Sequence, residues 1–416
     1  MTEFGMAALL ADIGTLVRCE SPSFDLDAVA RSAEVLSDLG RKVLGVEPER
    51  IVLDGRTHLR WRFGDGPARV LLLGHHDTVW PMGSLETHPF SVADGVLRGP
   101  GCFDMKAGVV MALHAAAALP SRAGLSILIT GDEELGSPSS RGLIEAAARG
   151  CEAALVLEAS ADGGALKTRR KGVSQYRIDV TGRAAHAGLE PDKGINAGIE
   201  IAHQTLAVAA LTDPERGTSV VPTLLAAGTT ANTVPATAVV EVDVRVWDED
   251  EQLRVDRAVR ALRPVLAGTR VRISGGVNRP PLDAASSAAL FGLARELAAE
   301  LGLPTLTEAT VGGASDGNYT AGLGVPTLDG LGAVGGGAHA DHEHVLIEEL
   351  PRRTTLLFAL LEHVLTKGGP SIPEDPEDAV DSSGRTRRRP SGAAERGVSR
   401  DESFDGFTTA SHVGSP

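Results

Sequence analysis

The 416-residue sequence has few cysteines, few aromatic residues and no long apolar run. Its three cysteines, Cys19, Cys102 and Cys151, form an odd and sparse set with no metal-ligand spacing, as expected of a protein in a reducing compartment. No apolar stretch approaches the roughly 20 residues of a membrane-spanning helix, and the N-terminus lacks a basic segment followed by an apolar one. We therefore expect a cytoplasmic protein that does not act at a membrane.

Positive charge is also scarce. Lysine and arginine total 40 against 55 aspartates and glutamates, so the formal net charge is -15. Because nucleic-acid-binding surfaces are basic, and no basic stripe occurs in the part expected to fold, we expect no nucleic-acid partner. The length exceeds that of one ordinary hydrophobic core, so the chain is expected to form two domains.

An apolar run at residues 70–73 ends abruptly in polar side chains, which predicts a buried strand with a functional end. In an extended chain alternate side chains share a face, so His75 and Asp77 point one way and His76 points the other. An imidazole can bind a metal through one nitrogen while a carboxylate holds the other N–H. The simpler alternative, a structural histidine at a strand end, has to be weighed against the residues downstream.

Carboxylates follow at three further places where the predicted structure changes. Asp104 lies in a Gly/Pro loop before an alanine-rich helix, where it could cap the helix or bridge two metal ions. Glu133 and Glu134 follow an apolar strand, and because neighbouring side chains diverge, one can bind metal while the other serves as a base. Glu158 follows a third apolar strand. Since ligands of open α/β sheets bind at the carboxyl ends of strands, these side chains can converge.

Residues 166–277 show a different pattern. Alternating strands and two helices occur in the order β-α-β-β-α-β, which predicts a small antiparallel sheet with both helices on one face. The first pattern resumes at residues 278–367, so the segment is expected to be an insertion into a catalytic domain begun by residues 1–165. Residues 368–416 are rich in Pro, Ser, Gly and charged residues with almost no apolar side chains, which predicts a disordered tail.

A histidine after a glycine-rich segment completes a set of six candidate side chains. They are His75, Asp104, Glu133, Glu134, Glu158 and His339. Zinc and similar metals favour this mixture of imidazole and carboxylate. Three carboxylates and a hydroxide balance the four positive charges of two Zn²⁺ ions, and paired metals about 3.5–4 Å apart can activate water and polarise a carbonyl together.

The motifs around these residues resemble those of the co-catalytic di-zinc carboxypeptidases and deacylases of the bacterial glutamate carboxypeptidase type. Relatives of that type include acetylornithine deacetylase, succinyl-diaminopimelate desuccinylase and aminoacylase. The similarity runs in order through nearly all of residues 5–366. It is carried by Gly74-His75-His76-Asp77-Thr78-Val79, Gly99-Pro100-Gly101 with Asp104-Met105-Lys106, Asp132-Glu133-Glu134 with Gly136-Ser137, Glu158, Ala184-Ala185-His186-Ala187-Gly188, Asn232-Thr233-Val234-Pro235, Asp243-Val244-Arg245, Gly312-Gly313-Ala314-Ser315-Asp316, and His339 with Glu343.

The resemblance implies an α/β fold, with a central mixed sheet flanked by helices and an inserted α+β ferredoxin-like lid that commonly forms a homodimer interface. It also implies two Zn²⁺ per subunit, for which Co²⁺ or Mn²⁺ could substitute. The ligands of one ion would be His75, Asp104 and Glu158, and those of the other Asp104, Glu134 and His339.

Roles for the remaining matched residues are implied in the same way. Glu133 would be the general base, and Asp77 would orient His75. His186 on the lid would reach the partner subunit's active site and stabilise the developing oxyanion. The substrate's carboxylate would be contacted by Asn232, Arg245 and Arg279.

The expected substrate is a small peptide or an N-acyl amino acid. The first hypothesis is an exopeptidase that releases a C-terminal amino acid, and the second is an N-acyl amino acid deacylase. A remote alternative is a serine hydrolase, because residues 313–317 fit a Gly-x-Ser-x-Gly turn around Ser315. Its triad would use Asp329 or Asp341 and His342 or His344. A non-catalytic metal-binding relative is disfavoured, since Glu133 is present.

Overall fold

The computed structural model describes residues 4–369. The predicted disordered tail, apart from Gly368 and Gly369, lies outside the described residues. The α-helices of this range are α1 (Met6–Val17), α2 (Leu26–Leu44), α3 (Ser84–Thr87), α4 (Ala107–Ala118), α5 (Arg141–Ala148), α6 (Ala197–Ala209), α7 (Glu249–Arg260), α8 (Ala284–Glu300), α9 (Gly317–Gly322) and α10 (Glu349–Lys367). None of these helices is both long enough and apolar enough to cross a membrane.

Four sheets account for the strands of the same range. The strands are β1 (Glu49–Leu53), β2 (Arg56–Arg62), β3 (Val70–His75), β4 (Ser91–Ala93), β5 (Val96–Arg98), β6 (Leu125–Thr130), β7 (Ala153–Val156), β8 (Leu166–Arg170), β9 (Gly172–Thr181), β10 (Ser219–Ala227), β11 (Thr237–Val246), β12 (Arg270–Arg279), β13 (Glu308–Val311), β14 (Thr327–Leu328), β15 (Gly335–Gly336) and β16 (His344–Leu346).

The largest sheet has six strands in the order β1-β2-β6-β3-β7-β14. From β6 to β14 the strands are parallel, whereas β1 and β2 are antiparallel to their neighbours, so the sheet is mixed as expected. Every residue of β3 and β6 is buried. Strands covered on both faces read as continuous apolar runs, which is why these two segments were recognisable in the sequence.

Helices cover both faces of this sheet. Leu72 on β3 belongs to the core formed with α1, α2, α4, α8 and α10, whereas Leu71 and Leu73 belong to the core formed with α5 and α9. This alternation is the two-residue period of an extended chain. Burying each of these leucines stabilises the fold by about 1.5–3 kcal/mol, so the strand that carries His75 is firmly fixed.

A second, four-stranded antiparallel sheet has the order β10-β11-β9-β12. Its core side chains, such as Ile178 and Val240, pack with residues of α6 and α7, including Ile201 and Val255. The elements follow one another as β-α-β-β-α-β, which confirms the α+β ferredoxin-like insertion. The domain boundaries given above stay predictions.

The chain enters and leaves this second sheet at adjacent positions. Arg170 and Leu282 exchange two backbone hydrogen bonds of 2.9 and 3.1 Å, and Val173 on β9 is paired with Arg279 on β12. We call this paired crossing, residues 170–173 and 279–282, the neck. It joins the two sheets through two chain segments that lie side by side.

The structure corrects several element boundaries. The sequence pattern of residues 304–309 predicts a strand there, but the strand lies at Glu308–Val311 and pairs with β8 in a separate two-stranded sheet. The sequence predicts a helix over residues 249–266, but helix α7 ends at Arg260, in keeping with Pro264, which disfavours helix at and before its own position. It also predicts a strand over residues 271–274, but strand β12 runs to Arg279, because it pairs with β9 over its whole length.

Candidate metal centre

The parallel strands β6, β3 and β7 are neighbours, so their carboxyl ends meet at one edge of the central sheet. His75 is the last residue of β3, Glu133 and Glu134 lie shortly after β6, and Glu158 lies just after β7. Asp104 reaches the same edge from the segment before α4. The convergence predicted from the three strand ends is therefore present.

His75, Asp104 and Glu158 form the first group of side chains. The Nε2 atom of His75 lies 3.3 Å from Oδ1 of Asp104 and 3.6 Å from Oε1 of Glu158. One ligand atom from each of the three lies within 4.8 Å of the others, a spacing at which a single ion can contact all of them.

Asp104, Glu134 and His339 form a second group with the same spacing. The Nε2 atom of His339 lies 3.3 Å from Oδ2 of Asp104 and 3.3 Å from Oε1 of Glu134. Asp104 thus turns one oxygen toward His75 and the other toward His339. This is the arrangement that a carboxylate bridging two ions requires.

The donor atoms fit a divalent metal. Three buried atoms at this place, His75 Nε2, Asp104 Oδ1 and Glu134 Oε1, have no hydrogen-bond partner. Leaving a buried polar atom unpaired costs about 1–3 kcal/mol, so three such atoms within these two groups are unusual in a site that binds nothing. Imidazole and carboxylate are ligands that zinc and similar ions accept.

The protonation equilibria reflect the same excess of negative charge. The neighbouring carboxylates of Asp104 and Glu134 raise the pKa of His339 to about 10. Burial lowers the pKa of His75, but the carboxylates of Asp104, Asp77 and Glu158 outweigh it and hold that pKa well above its usual value. Burial raises the pKa of Glu134 to about 7. The surrounding carboxylates therefore favour positive charge on both imidazoles.

Asp77 connects the two sides of the centre. The Nδ1 atom of His75 lies 2.9 Å from the backbone oxygen of Asp77 and 3.5 Å from its carboxylate, so the backbone is the closer partner. The Asp77 carboxylate accepts hydrogen bonds from the backbone N–H groups of Glu133 and Glu134, both at 3.2 Å, and from Ser23 Oγ at 2.8 Å. It fixes the glutamate pair relative to His75.

The candidate base, Glu133, is buried and lies against a guanidinium. Its Oε1 accepts a 2.9 Å hydrogen bond from Nη2 of Arg279. The same nitrogen lies 2.9 Å from Asp316 Oδ1 and 2.8 Å from Ser137 Oγ. Burial raises the pKa of the Glu133 carboxyl well above its usual value, and Arg279 opposes that rise. The structure therefore places Arg279, expected to contact substrate, on the base.

The other lid residues lie apart from this cluster, and no described hydrogen bond or ion pair joins them to it. Arg245 makes a bidentate pair with Asp243 at 2.7 and 2.9 Å, and Asn232 is exposed. His186 is also exposed, and its Nδ1 accepts the backbone N–H groups of Gly188 and Leu189 at 3.1 Å. Its proton is consequently on Nε2, which is free to donate.

Glu343 is a residue whose role the sequence did not reveal, although it belongs to one of the matched motifs. Its buried carboxylate accepts hydrogen bonds from the backbone N–H groups of Gly101, Phe103 and Asp104 at 2.8–3.0 Å, and from the indole N–H of Trp80 at 2.5 Å. It clamps the loop that carries the bridging aspartate. We refer to this set of four hydrogen bonds as the Glu343 clamp.

A second unforeseen partner is Arg170, which is buried between two carboxylates. It lies 3.4 Å from Glu158 and 2.7 Å from Asp329. Asp329 in turn accepts a 2.6 Å hydrogen bond from Ser315, which is completely buried. No described histidine contacts Ser315, so the residues of a serine-hydrolase triad are not assembled here.

Comparison with known proteins agrees with this geometry. Residues 71–363 match the sequence profile of peptidase family M20/M25/M40. The chain belongs to this family. It is therefore a metal-dependent hydrolase of the metallopeptidase and amidohydrolase class, as the sequence predicted, and the serine-hydrolase alternative is set aside.

Two curated relatives illustrate the range of the family. The chain is 29% identical to carboxypeptidase G2 of a Pseudomonas species over 371 residues, which cover 85% of this chain and 88% of that one. It is 30% identical to succinyl-diaminopimelate desuccinylase of Methylorubrum extorquens over 332 residues, covering 72% and 84%. One relative is a peptidase and the other a deacylase, so these matches support the family and not one substrate.

Solved structures of the family share the fold. An M20 family metallo-carboxypeptidase from Sulfolobus solfataricus superposes with a TM-score of 0.66 at 17% identity, covering 86% of this chain and 98% of that one. An aminopeptidase from Bacillus cereus superposes with a TM-score of 0.63 at 21% identity, covering 87% and 99%.

Proposed function

We propose that this chain is a di-zinc exopeptidase that hydrolyses the amide bond next to a free carboxylate and releases a C-terminal amino acid. The observation that carries the proposal is the pair of three-residue groups joined by Asp104. Peptidyl- or acyl-glutamate is the first choice of substrate, and the similarity to carboxypeptidase G2 supports release of a C-terminal residue. Zn²⁺ is the metal of choice, with Co²⁺ or Mn²⁺ as substitutes.

His75, Asp104 and Glu158 would hold one zinc, and Asp104, Glu134 and His339 the other. When bound, such ions supply Lewis acidity that polarises the amide carbonyl and lowers the pKa of water. Glu133 would take a proton from the attacking water and later pass it to the departing amine. The 2.9 Å contact with Arg279 holds Glu133 in place for this task.

Lid residues would provide the remaining contacts. The Nε2–H group of His186 suits donation to the oxyanion that develops at the carbonyl, because its Nδ1 is already used as an acceptor. Arg245 and Asn232 would bind the substrate's carboxylate, for which a guanidinium is well shaped. Arg279 is the weaker candidate for that role, since its Nη2 is already shared among Glu133, Ser137 and Asp316.

We also propose a homodimer formed through the lid. Strand β10 lies at the edge of the second sheet, and its side chains Val221, Leu224 and Leu225 are exposed, as are Ile199 and Leu206 on α6. An exposed edge strand next to apolar helix residues is a ready surface for pairing with a second copy. In such a dimer His186 would act in the partner's active site.

The second candidate function is N-acyl amino acid deacylation, favoured by the similarity to succinyl-diaminopimelate desuccinylase. The two reactions share the metals and the base, and they differ in the group removed.

A panel of dipeptides with C-terminal glutamate, N-acetyl amino acids and N-succinyl amino acids would separate these functions in the zinc-loaded protein. We expect the fastest hydrolysis with C-terminal glutamate, full loss of activity in excess EDTA, and close to two zinc equivalents by metal analysis. Full activity in EDTA together with fluorophosphonate labelling of Ser315 would falsify the metal-dependent proposal.

A further inference from the structure

A cavity of about 790 Å³ lies directly beside the metal centre. Its wall includes Glu134, a candidate metal ligand, and a set of apolar side chains that are unusually open to solvent. Phe24 is 74% exposed, Met82 48%, Val79 44% and Leu26 40%. Large apolar side chains gathered in this way next to a reactive centre are typical of a ligand-binding surface.

The cavity is held rigidly against the metal ligands. Residues Ser21 and Ser23, next to Phe24, form backbone hydrogen bonds of 2.8 and 3.1 Å with Thr78. Ser23 Oγ also donates to the Asp77 carboxylate, which binds the backbone of Glu134. The apolar wall and the metal ligand are therefore connected through one aspartate, and a group in the cavity keeps a fixed position relative to the metals.

The charge of the residues that line the cavity determines which end of the substrate can bind there. The ionisable residues among those lining the cavity are Asp25, Asp27 and Glu134, and all three are acidic. A free carboxylate would be repelled here, and the proposed function assigns its recognition to Arg245 and Asn232 on the lid. The acyl group and the amide nitrogen are attached to different sides of the scissile carbonyl carbon. If the amino acid with the free carboxylate lies on the lid side, the acyl group is the part of the substrate that faces the cavity.

We propose that this cavity, which we call the acyl pocket, binds an apolar acyl group of the substrate, aromatic or long aliphatic, that carries no negative charge. The assignment rests on the proposed function, because it requires an amide over the metal pair. Pockets of roughly 300–1,000 Å³ accommodate drug-sized groups, so an acetyl group would leave most of this volume unused. A succinyl group would bring its carboxylate toward Asp25 and Asp27, which disfavours the dicarboxylic acyl substrates.

The test uses four glutamate derivatives that differ only in the acyl group: N-acetyl, N-hexanoyl, N-benzoyl and N-succinyl. With the full-length, zinc-loaded protein we expect kcat/KM for the hexanoyl and benzoyl compounds to exceed that for acetyl by at least about tenfold, since one methylene in an apolar pocket is worth roughly 10–200-fold. The succinyl compound should fall below acetyl. A preference for acetyl or succinyl would overturn the acyl pocket.

Substitutions of residues that line the cavity test whether the preference for the acyl group arises there. Phe24→Ala and Met82→Ala should each lower the ratio of kcat/KM for hexanoyl over acetyl, and both side chains are exposed enough for the fold to tolerate the change. Asp27→Lys should raise the ratio for succinyl over acetyl. Val52→Ala is the matched control, since Val52 is 62% exposed on β1 and does not line the cavity. Equal ratios in all four variants and the parent would also reject the proposal.

A binding measurement separates this inference from the proposed function. Glu133→Gln protein, loaded with zinc, is titrated calorimetrically with the same four compounds. If no compound is hydrolysed by the parent but the variant binds hexanoyl- and benzoyl-glutamate most tightly, the hydrolytic proposal fails and the acyl pocket stands. If the compounds are hydrolysed but neither the affinity nor kcat/KM depends on the acyl group, the acyl pocket is rejected and the hydrolytic function is retained.

Discussion

Glu343 and His339 hold the same aspartate from two sides. Oε1 of Glu343 accepts the backbone N–H of Asp104 at 3.0 Å, and His339, four residues earlier in the chain, lies 3.3 Å from the Asp104 carboxylate. One short segment therefore supplies both a candidate ligand and the support for the bridging residue. The position of Asp104 depends on Glu343 even though Glu343 would touch neither metal.

Glu343→Gln should weaken metal binding about 10–100-fold, the usual effect of losing a group that orients a ligand. An amide presents one acceptor and one donor end, so it cannot satisfy all four N–H groups of the Glu343 clamp. Competition with a chromophoric chelator measures the affinity. Trp80→Phe, which removes one of the four hydrogen bonds, should cause a smaller loss; an equal affinity in Glu343→Gln and parent protein would contradict this role.

The adjacent glutamates should respond differently to the same substitution. Glu133→Gln should reduce kcat by at least about 10²–10⁴-fold, the contribution of a general base, while two zinc equivalents remain bound. Glu134→Gln should lose about one equivalent, because it removes a charged ligand next to His339. Metal analysis and steady-state kinetics on both variants decide the matter. Loss of metal from Glu133→Gln protein with both ions retained in Glu134→Gln protein would reverse the roles assigned to the two residues.

His186 can be tested across the proposed dimer. A heterodimer of a His186→Ala subunit and a Glu133→Gln subunit contains one active site with an intact base and an intact partner histidine, so activity should return. Each variant alone should be nearly inactive. Absence of recovery, in a mixture shown by mass spectrometry to exchange subunits, would confine His186 to its own subunit or remove it from catalysis.

Arg245→Ala should lower kcat/KM for a free-acid substrate by a factor equivalent to about 2–5 kcal/mol, the cost of breaking a buried charge pair, and should have little effect on the C-terminal amide. Asp243→Asn is the informative control, since Asp243 holds the guanidinium at 2.7 Å. Equal losses with acid and amide substrates would mean that Arg245 stabilises the lid instead of recognising the carboxylate.

The strand ends that carry the candidate residues were predictable from the sequence, because their signal is local. Buried strands are continuous apolar runs, and the polar residues that end them are visible without a structure, which is how His75, Glu133, Glu134 and Glu158 were found. The β-α-β-β-α-β order could also be predicted, because apolar residues recur every second position in a strand and every third or fourth in a helix, a difference visible within a few residues. His339 and the ligand pairs came from resemblance to known motifs and not from spacing.

Long-range ion pairs were missed. Arg279 was expected at the substrate, yet it is buried against Glu133, 146 residues away in sequence. Arg170 and Asp329 are a similar pair. Nothing local distinguishes such an arginine from one that faces solvent, because its burial is set by segments that meet only in the folded chain. The strand at residues 308–311 was predicted at residues 304–309 for a related reason, since it is stabilised by pairing with β8.

The neck connects the second sheet to two arginines beside the candidate metal centre. Each of its two segments contributes one arginine to the catalytic edge: Arg170 lies against Glu158, and Arg279 lies against Glu133. A rotation of the small sheet about the neck would displace both guanidiniums at once. The guanidinium beside Glu158, a candidate metal ligand, and the one beside Glu133, the candidate base, therefore both depend on how the second sheet is held at the neck.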